Sequence, residues 1–147
     1  MNMTLKFPNR MVAIGAALAA ILFLAACATT SIATIQTLTP EQMQKRATER
    51  SIARWKALTD KRFSEAFGYL SEASRVGTTA NEYDAAMQRM GYIAANLVAA
   101  SCDDSVCTVR SNVTVPIYVR NVGARPQVIP VEELWTLQNG ELWLIRR

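Results

Sequence analysis

The pattern of apolar and polar residues changes twice along the chain. Residues 11–26 form a run in which every residue is apolar or glycine. From residue 39 to residue 91 the apolar residues recur every three or four positions, which is the period of an α-helix with one buried face. Beyond Gly91 they recur at every second position, as in β-strands with one buried face. This order predicts an α+β domain in which helices pack on a curved antiparallel sheet.

The first predicted helix has a strong start signal. Thr39 can cap it, Pro40 suits its first position and Gln42 completes a capping-box pattern, so we expect a helix from Thr39 to about Leu58. Its basic side chains leave open a second interpretation, in which the helix lies on lipid headgroups. We favour packing against the core through one apolar stripe, made of Met43, Ala47, Ile52, Trp55 and Leu58.

Two shorter helices should follow the first. The spacing of apolar residues predicts one from residue 60 to about residue 69. Thr79 and Glu82 form a second capping box, and Gly91 supplies a helix stop. A third helix is therefore expected between these two signals.

Alternation of apolar and polar residues predicts a four-stranded sheet. We expect strands at residues 92–102, 107–120, 127–137 and 141–147. A short polar loop joins the first two into a hairpin. Residues 121–126 are expected to form a turn or loop, and Pro130 marks the third strand as an edge or a bulge. Asn139-Gly140 is the signature of a tight type I′ turn before the last strand.

That tight turn also sets which residues oppose each other in the last hairpin. It places Glu133 opposite Arg146 on one face and Glu132 opposite Arg147 on the other. Both faces carry tryptophan and aliphatic residues, and the helices can cover only one of them. We therefore expect a partner, a second copy or a ligand to contact a face that includes Trp135, Trp143, Leu134 and Ile145.

The apolar run near the start has the features of a secretory signal peptide. Lys6 and Arg10 precede it, no acidic residue does, and small residues end it. A transmembrane helix is the alternative, but the run is shorter than the roughly 20 residues that a span needs. Residues 1–26 are accordingly predicted to be removed.

The end of this run resembles the lipobox of bacterial lipoproteins. The matching residues are Leu24-Ala25-Ala26-Cys27. The resemblance implies cleavage before Cys27, acylation of that cysteine and a stable lipid anchor. Residues 27–38 would then be the lipidated cysteine and its tether, and residues 39–147 a single domain. Because Ala28-Thr29-Thr30, directly after Cys27, contain no Asp, the resemblance favours the outer membrane, with the domain facing the periplasm.

The other two cysteines form the expected disulfide of the domain. If Cys27 is lipidated, Cys102 and Cys107 remain as a pair at the mouth of the first hairpin. The periplasm is oxidising, so we expect them to be joined, with two free thiols as the alternative. Their spacing is not that of a C-x-x-C redox motif. With no histidine and no further cysteine in the chain, we expect no metal site and no cofactor.

Charge argues against nucleic acid as a partner. Loss of Lys6 and Arg10 with the signal peptide leaves 14 basic residues against 12 acidic ones, a net charge of +2. Such a balance does not form the basic footprint of a nucleic-acid-binding protein.

The element order resembles the nuclear transport factor 2-like (NTF2-like), or cystatin-like cone, superfamily. The residues that carry the resemblance are Arg54-Trp55-Lys56-Ala57-Leu58, the segment from Phe63 to Ser71, Glu133-Leu134-Trp135 and Gly140-Glu141-Leu142-Trp143. The resemblance implies a sheet that wraps around a pocket under the helices. It covers residues 40–147, and members include enzymes, ligand-binding proteins and assembly modules.

Catalysis finds little support among the residue types present. The family's enzymes use Asp or an Asp–His pair, and this chain has no histidine. The remaining candidates have plainer roles as caps, ion-pair partners or packing aromatics: Asp60, Glu132, Glu133, Tyr83 and Tyr92. We therefore expect a non-catalytic lipoprotein that acts as an envelope accessory or protein-interaction module. Binding of a small apolar ligand in the pocket is the alternative.

Overall fold

Four helices precede four strands in the computed structural model, which describes residues 38–146. The helices are α1 (Pro40–Thr59), α2 (Phe63–Gly68), α3 (Glu72–Arg75) and α4 (Ala80–Met90). The strands are β1 (Ala94–Cys102), β2 (Val106–Val119), β3 (Gly123–Gln138) and β4 (Glu141–Ile145). They form one antiparallel sheet in the order β1-β2-β3-β4, which confirms the α+β class. The predicted signal peptide, Cys27 and the tether up to residue 37 lie outside the described residues.

Both predicted capping boxes are present. The Thr39 side chain accepts a hydrogen bond from the Gln42 backbone, and the Gln42 side chain accepts one from the Thr39 backbone at 2.9 Å. Thr79 and Glu82 form the same reciprocal pair at the start of α4. Each box satisfies two backbone N–H groups that a helix start would otherwise leave without a partner.

The end of α1 explains why the second helix starts later than predicted. Lys61 adopts a left-handed conformation with φ 61°, although it is not a glycine. The Arg62 N–H donates to the Ala57 carbonyl at 2.8 Å, and the Lys61 N–H donates to the Leu58 carbonyl at 3.2 Å. This is the Schellman arrangement that closes a helix. As a result, α2 begins at Phe63 rather than at residue 60.

Gly91 ends α4 and also makes room for the sheet. Its φ is 64°, the left-handed conformation that favours glycine at this position. A Cβ atom there would lie 3.1 Å from Cγ of Pro116 on β2. The short helix α3, capped by Ser71, was not predicted from the sequence.

The core lies between α1 and one face of the sheet. Met43, Ala47 and Leu58 of α1 are almost fully buried against that face. The predicted stripe was wrong at Ile52, whose side chain is 53% exposed. The stripe passes instead through Ser51 and Arg54, which are polar but buried. No helix within residues 38–146 is both long and apolar enough to cross a bilayer.

A bulge and a disulfide set the register of the first hairpin. The register of β1 against β2 shifts between Leu97 and Ala99, so Val98 has no partner. The bulge allows residues on both sides of it to face α1, because one extra residue reverses the alternation of a strand. Next to the loop that joins β1 to β2, Cys102 and Cys107 lie opposite each other and form a disulfide. This disulfide fixes the register of the two strands at the loop.

The hairpin formed by β2 and β3 is longer than the sequence predicted. Residues 123–126 were expected to be loop, but they continue β3 and pair with residues 116–119. Pro116 lies opposite Pro126, a pair that cannot exchange N–H···O bonds. The ring nitrogen of each proline therefore points away from the opposite strand. At such a position the missing N–H removes no hydrogen bond between β2 and β3. The same alternation places the nitrogen of Pro130 on the free edge of β3, as predicted.

The last hairpin has the predicted register over most of its length. Asn139 and Gly140 form the turn, both with positive φ, and Leu137 lies opposite Leu142. However, β4 ends at Ile145, so the predicted pairing of Glu133 with Arg146 was wrong. The Arg146 N–H donates instead to Oγ of Ser74 at 2.9 Å. Arg147, the predicted partner of Glu132, lies outside the described residues.

Candidate functional site: a buried ion pair and an exposed β-arm

A buried ion pair joins the first helix to the sheet. Arg54 of α1 contacts Glu133 of β3, and their side chains are only 10% and 4% exposed. Ser51, one turn earlier on α1, donates a hydrogen bond to the other carboxylate oxygen of Glu133. A second nitrogen of Arg54 donates to the Tyr83 hydroxyl of α4 at 3.3 Å. The pair and its neighbours therefore connect α1, α4 and β3.

Helical and strand periodicity bring these side chains together. Ser51 and Arg54 follow Ala47 at spacings of four and three residues, so they share its buried face. Glu133 lies two residues before the buried Trp135 and so points to the same side of β3. Arg54 was not predicted from the sequence as the partner of Glu133. Its position in the apolar stripe of α1 was the signal that could have identified it as buried.

The surroundings of the pair form a pocket of about 250 Å³ that lies between α4 and the sheet. Met87 and Tyr92 line one side, and Val131 lines the other. The Tyr92 hydroxyl donates to the Met87 sulfur at 3.7 Å, and its ring meets Trp55 edge-on at 5.5 Å. Burial raises the pKa of the Tyr92 phenol, so this group stays protonated at neutral pH. Apolar side chains thus surround the Arg54–Glu133 pair, and Glu132 and Arg146 also line the pocket.

The carboxylates considered for catalysis are either held by basic side chains or exposed to solvent. Glu133 already accepts hydrogen bonds from Arg54 and Ser51. Asp60 lies at the surface, where a hydrogen bond from Lys56 and a weaker contribution from Arg62 lower the pKa of its carboxyl. Glu132 is exposed at the rim. None of the three is arranged with a second titratable group as an acid–base pair, and a structural role fits the geometry better.

The face predicted to meet a partner is partly hidden. Trp135 is fully buried, so it belongs to the core rather than to a surface. Trp143, Leu134 and Ile145 are half-buried. The guanidinium of Arg50 lies 5.1 Å from the ring centroid of Trp143, which leaves that ring partly covered from within the chain.

A different surface carries the exposed apolar residues. Beyond Pro116 the β2–β3 hairpin extends past the part of the sheet that the helices cover, and every residue from 117 to 128 is exposed. We call residues 117–128 the β-arm. Ten large apolar side chains are exposed among the described residues, and five belong to this segment. They are Ile117, Tyr118, Val119, Val122 and Val128, with Tyr118 81% exposed. This surface was not predicted from the sequence, because residues 121–126 were expected to form a turn or loop.

The β-arm is also basic. It contains Arg120 and Arg125, and no acidic residue occurs from residue 105 to residue 131. Apolar side chains flanked by arginine are typical of surfaces that contact partners. The β-arm and the ion-pair pocket are therefore separate candidate sites on one domain.

Comparison with known proteins shows the fold and nothing finer. No protein-family model and no curated protein matches the sequence. The fold is similar to the solution structure of a SEC-C motif containing protein from Rhodopseudomonas palustris, with a TM-score of 0.54 and 15% identity over 66% of this chain and 73% of that chain. At such identity the likeness shows only the α+β architecture. The structure of Aln2 from a Streptomyces species matches with a TM-score of 0.47 and 11% identity, over 74% of this chain and 89% of that chain. A match this weak indicates nothing further about the chain.

Loss of the Glu133 carboxylate should be costly to the fold. In the variant Glu133→Gln the charge of Arg54 stays buried without its partner, and we expect the free energy of unfolding to fall by about 3–5 kcal/mol. The matched control is Glu132→Gln, an exposed neighbour, which should change it by less than about 0.5 kcal/mol. Urea unfolding of the purified chain measures both values. Equal stability of the two variants would show that the pair does not hold α1 to the sheet.

Proposed function

We propose that the chain is a non-catalytic lipoprotein, anchored through Cys27, whose β-arm engages a partner protein of the cell envelope. The observation that carries this proposal is the concentration of exposed apolar side chains in residues 117–128. Exposed apolar side chains that are concentrated in one segment of a domain often mark a site of interaction. The residues directly after Cys27 favour the outer membrane as the location of the anchor, with the domain facing the periplasm.

The β-arm projects from the end of the domain opposite to the start of α1. The start of α1 lies at one end of the sheet, where the Gln44 side chain donates to the Ala100 carbonyl at 2.8 Å. The helix then runs about 30 Å along the sheet, to the end where Ala94 of β1 pairs with Thr114 of β2. The β-arm continues beyond Thr114 in the same direction. A tether that enters at the start of α1 would therefore join the domain at the end opposite to the tip of the β-arm.

The chemistry of the β-arm indicates what its partner offers. Tyr118 suits an apolar pocket with a polar group at its base, because its ring is apolar and its hydroxyl is not. Arg120 and Arg125 favour carboxylates around that pocket. Pairing of a partner strand with the free edge of β3 is disfavoured, because Pro126 and Pro130 each remove one N–H donor from that edge. The expected contact is side chain to side chain.

The resemblance to the NTF2-like superfamily belongs to the same proposal. Its support is the order of the elements, with capped helices first and a long antiparallel hairpin after them. In this view the pocket beside the Arg54–Glu133 pair corresponds to the family's cone. Because that pocket is small and its buried carboxylate, Glu133, is already paired with Arg54, we favour the β-arm over the pocket as the site of the main function.

Lipidation can be tested on the protein itself. A clickable palmitate analogue fed to the bacterial host should label the wild-type chain, because the lipobox cysteine receives the acyl chains. The label should be lost in Cys27→Ala and retained in the control Cys102→Ala/Cys107→Ala, which keeps Cys27. Labelling that survives Cys27→Ala would contradict the proposed anchor.

The partner contact is tested by removing the apolar tip. We expect Tyr118→Ser/Val122→Ser to lose, by tenfold or more, the envelope protein that co-purifies with the wild-type chain after mild cross-linking. The control Val76→Ser/Val98→Ser removes two side chains that are 79% and 59% exposed elsewhere on the domain, and it should keep that protein. Recovery of the same protein with both double variants would overturn the proposed site, and so would recovery of the wild-type chain alone.

A further inference from the structure

The two faces of the β-arm have different surroundings. Side chains of a strand alternate between its faces, so Ile117 and Val119 point to the same side as the buried Val113 and Val115. This is the side of the sheet that the helices cover, and Tyr118 points to the other side. Ile117 and Val119 are nevertheless 40% and 46% exposed, because the helices do not extend as far as the β-arm. We call this side of the β-arm its helix-side face.

The apolar surface of the helix-side face continues past the base of the β-arm. The Ile93 N–H donates to the Thr114 carbonyl at 2.9 Å, three residues before Ile117. Ile93 is half exposed, and it lines a cavity of about 320 Å³ together with Ile52 of α1, which is exposed to a similar extent. Because Ile52 belongs to α1, this cavity opens on the same side of the sheet. An apolar row therefore runs from the cavity to Val119.

The spacing of this row fits the turns of an α-helix. Because Ala94 pairs with Thr114, Ile93 lies beside the next residue of β2 and about 8 Å from Ile117. Val119 follows Ile117 after about 7 Å. Side chains that repeat every fourth residue of a helix are about 6 Å apart along its axis. A helix of roughly three turns would therefore present one side chain to each of the three residues.

A strand from a partner suits this surface less well than a helix. Pro116 interrupts the edge of β2 that β1 leaves free, and Pro126 interrupts the free edge of β3. A strand that lay across the face instead would leave its own N–H and C=O groups without partners. A helix satisfies these groups internally and can use its whole apolar face for the contact.

The charges beside the row are basic. Arg125 lies on the helix-side face, because it pairs with Ile117 across the hairpin. Arg89 is in the last turn of α4, which ends beside the base of the β-arm. Neither arginine forms an ion pair within residues 38–146. Asp60, at the rim of the cavity, is already paired with Lys56 at 2.8 Å. Carboxylates of a partner would complement this surface.

We propose that the helix-side face of the β-arm and Ile93 receive an amphipathic helix of the partner, about three turns long and acidic beside its apolar face. This inference rests on the proposed function, and it adds the shape and charge of the segment that the partner supplies. One apolar side chain of the helix enters the cavity between Ile52 and Ile93, and its carboxylates face Arg125 and Arg89. The pocket that receives Tyr118 belongs to another part of the same partner.

The test is to map cross-links from the two faces onto the partner. A photoreactive phenylalanine analogue is placed singly at positions 93, 117 and 119 of the full chain in living cells. Position 118 reports on the other face, and position 76 is an exposed control elsewhere on the domain. Mass spectrometry of the adducts identifies the attached residues of the partner. We expect positions 93, 117 and 119 to attach to one segment, at residues three, four or seven apart, and position 118 to attach to another segment.

Charge reversal tests the acidic side of the helix. Arg125→Glu should lower the yield of the adduct from position 117 by about fivefold or more, because like charges then face each other. The matched control is Lys45→Glu, an exposed reversal in the first half of α1, which should leave that yield unchanged. Equal yields in the two variants would contradict the acidic helix.

The cross-links also separate this inference from the proposed function. Attachment of positions 93, 117 and 119 to alternate residues of a segment, or to scattered segments, would overturn the helix. So would an adduct from position 118 without adducts from these three positions, and in both cases the β-arm would remain the site of the partner. Loss of adducts at all four positions, or adducts of equal yield from position 76, would overturn both proposals.

Discussion

The contact between Arg54 and Glu133 is the interaction on which the arrangement of this domain depends. The buried guanidinium of Arg54 on α1 contacts one carboxylate oxygen of Glu133 on β3. The Ser51 hydroxyl donates a hydrogen bond to the other oxygen. An ion pair of this kind adds little net stability compared with apolar residues, but a shift of α1 that separates the two side chains would leave both charges buried without a partner, which is costly. The pair therefore disfavours other axial positions of α1 along the sheet.

That alignment determines what the rest of the sheet can do. With α1 held over the region where β1 pairs with β2, the helices cover the sheet only as far as Pro116. The β2–β3 hairpin continues beyond this point, and its residues 117–128 are exposed on both faces. Prolines at the free edge of β3 protect it from pairing with other strands. An exposed apolar hairpin that resists strand pairing is suited to contact through side chains.

Local signals predicted much of the fold. The capping boxes at Thr39 and Thr79 and the Asn139-Gly140 turn each act over a few residues, so their structures follow from adjacent sequence. The Arg54–Glu133 pair was missed because its members are 79 residues apart and polar residues were assumed to be exposed. The β-arm was missed because Gly123 and Pro126 normally interrupt strands. Here the two opposed prolines fall where neither needs to donate a hydrogen bond.

The central claim is that the tip of the β-arm, and not the rest of the sheet, meets an envelope protein. The most direct measurement is photo-cross-linking in living cells, with a photoreactive phenylalanine analogue at position 118 or, for comparison, at position 98. Our account predicts one discrete adduct with another protein from position 118 and none from position 98. Adducts of equal yield from both positions, or an adduct of the chain only with itself, would contradict it.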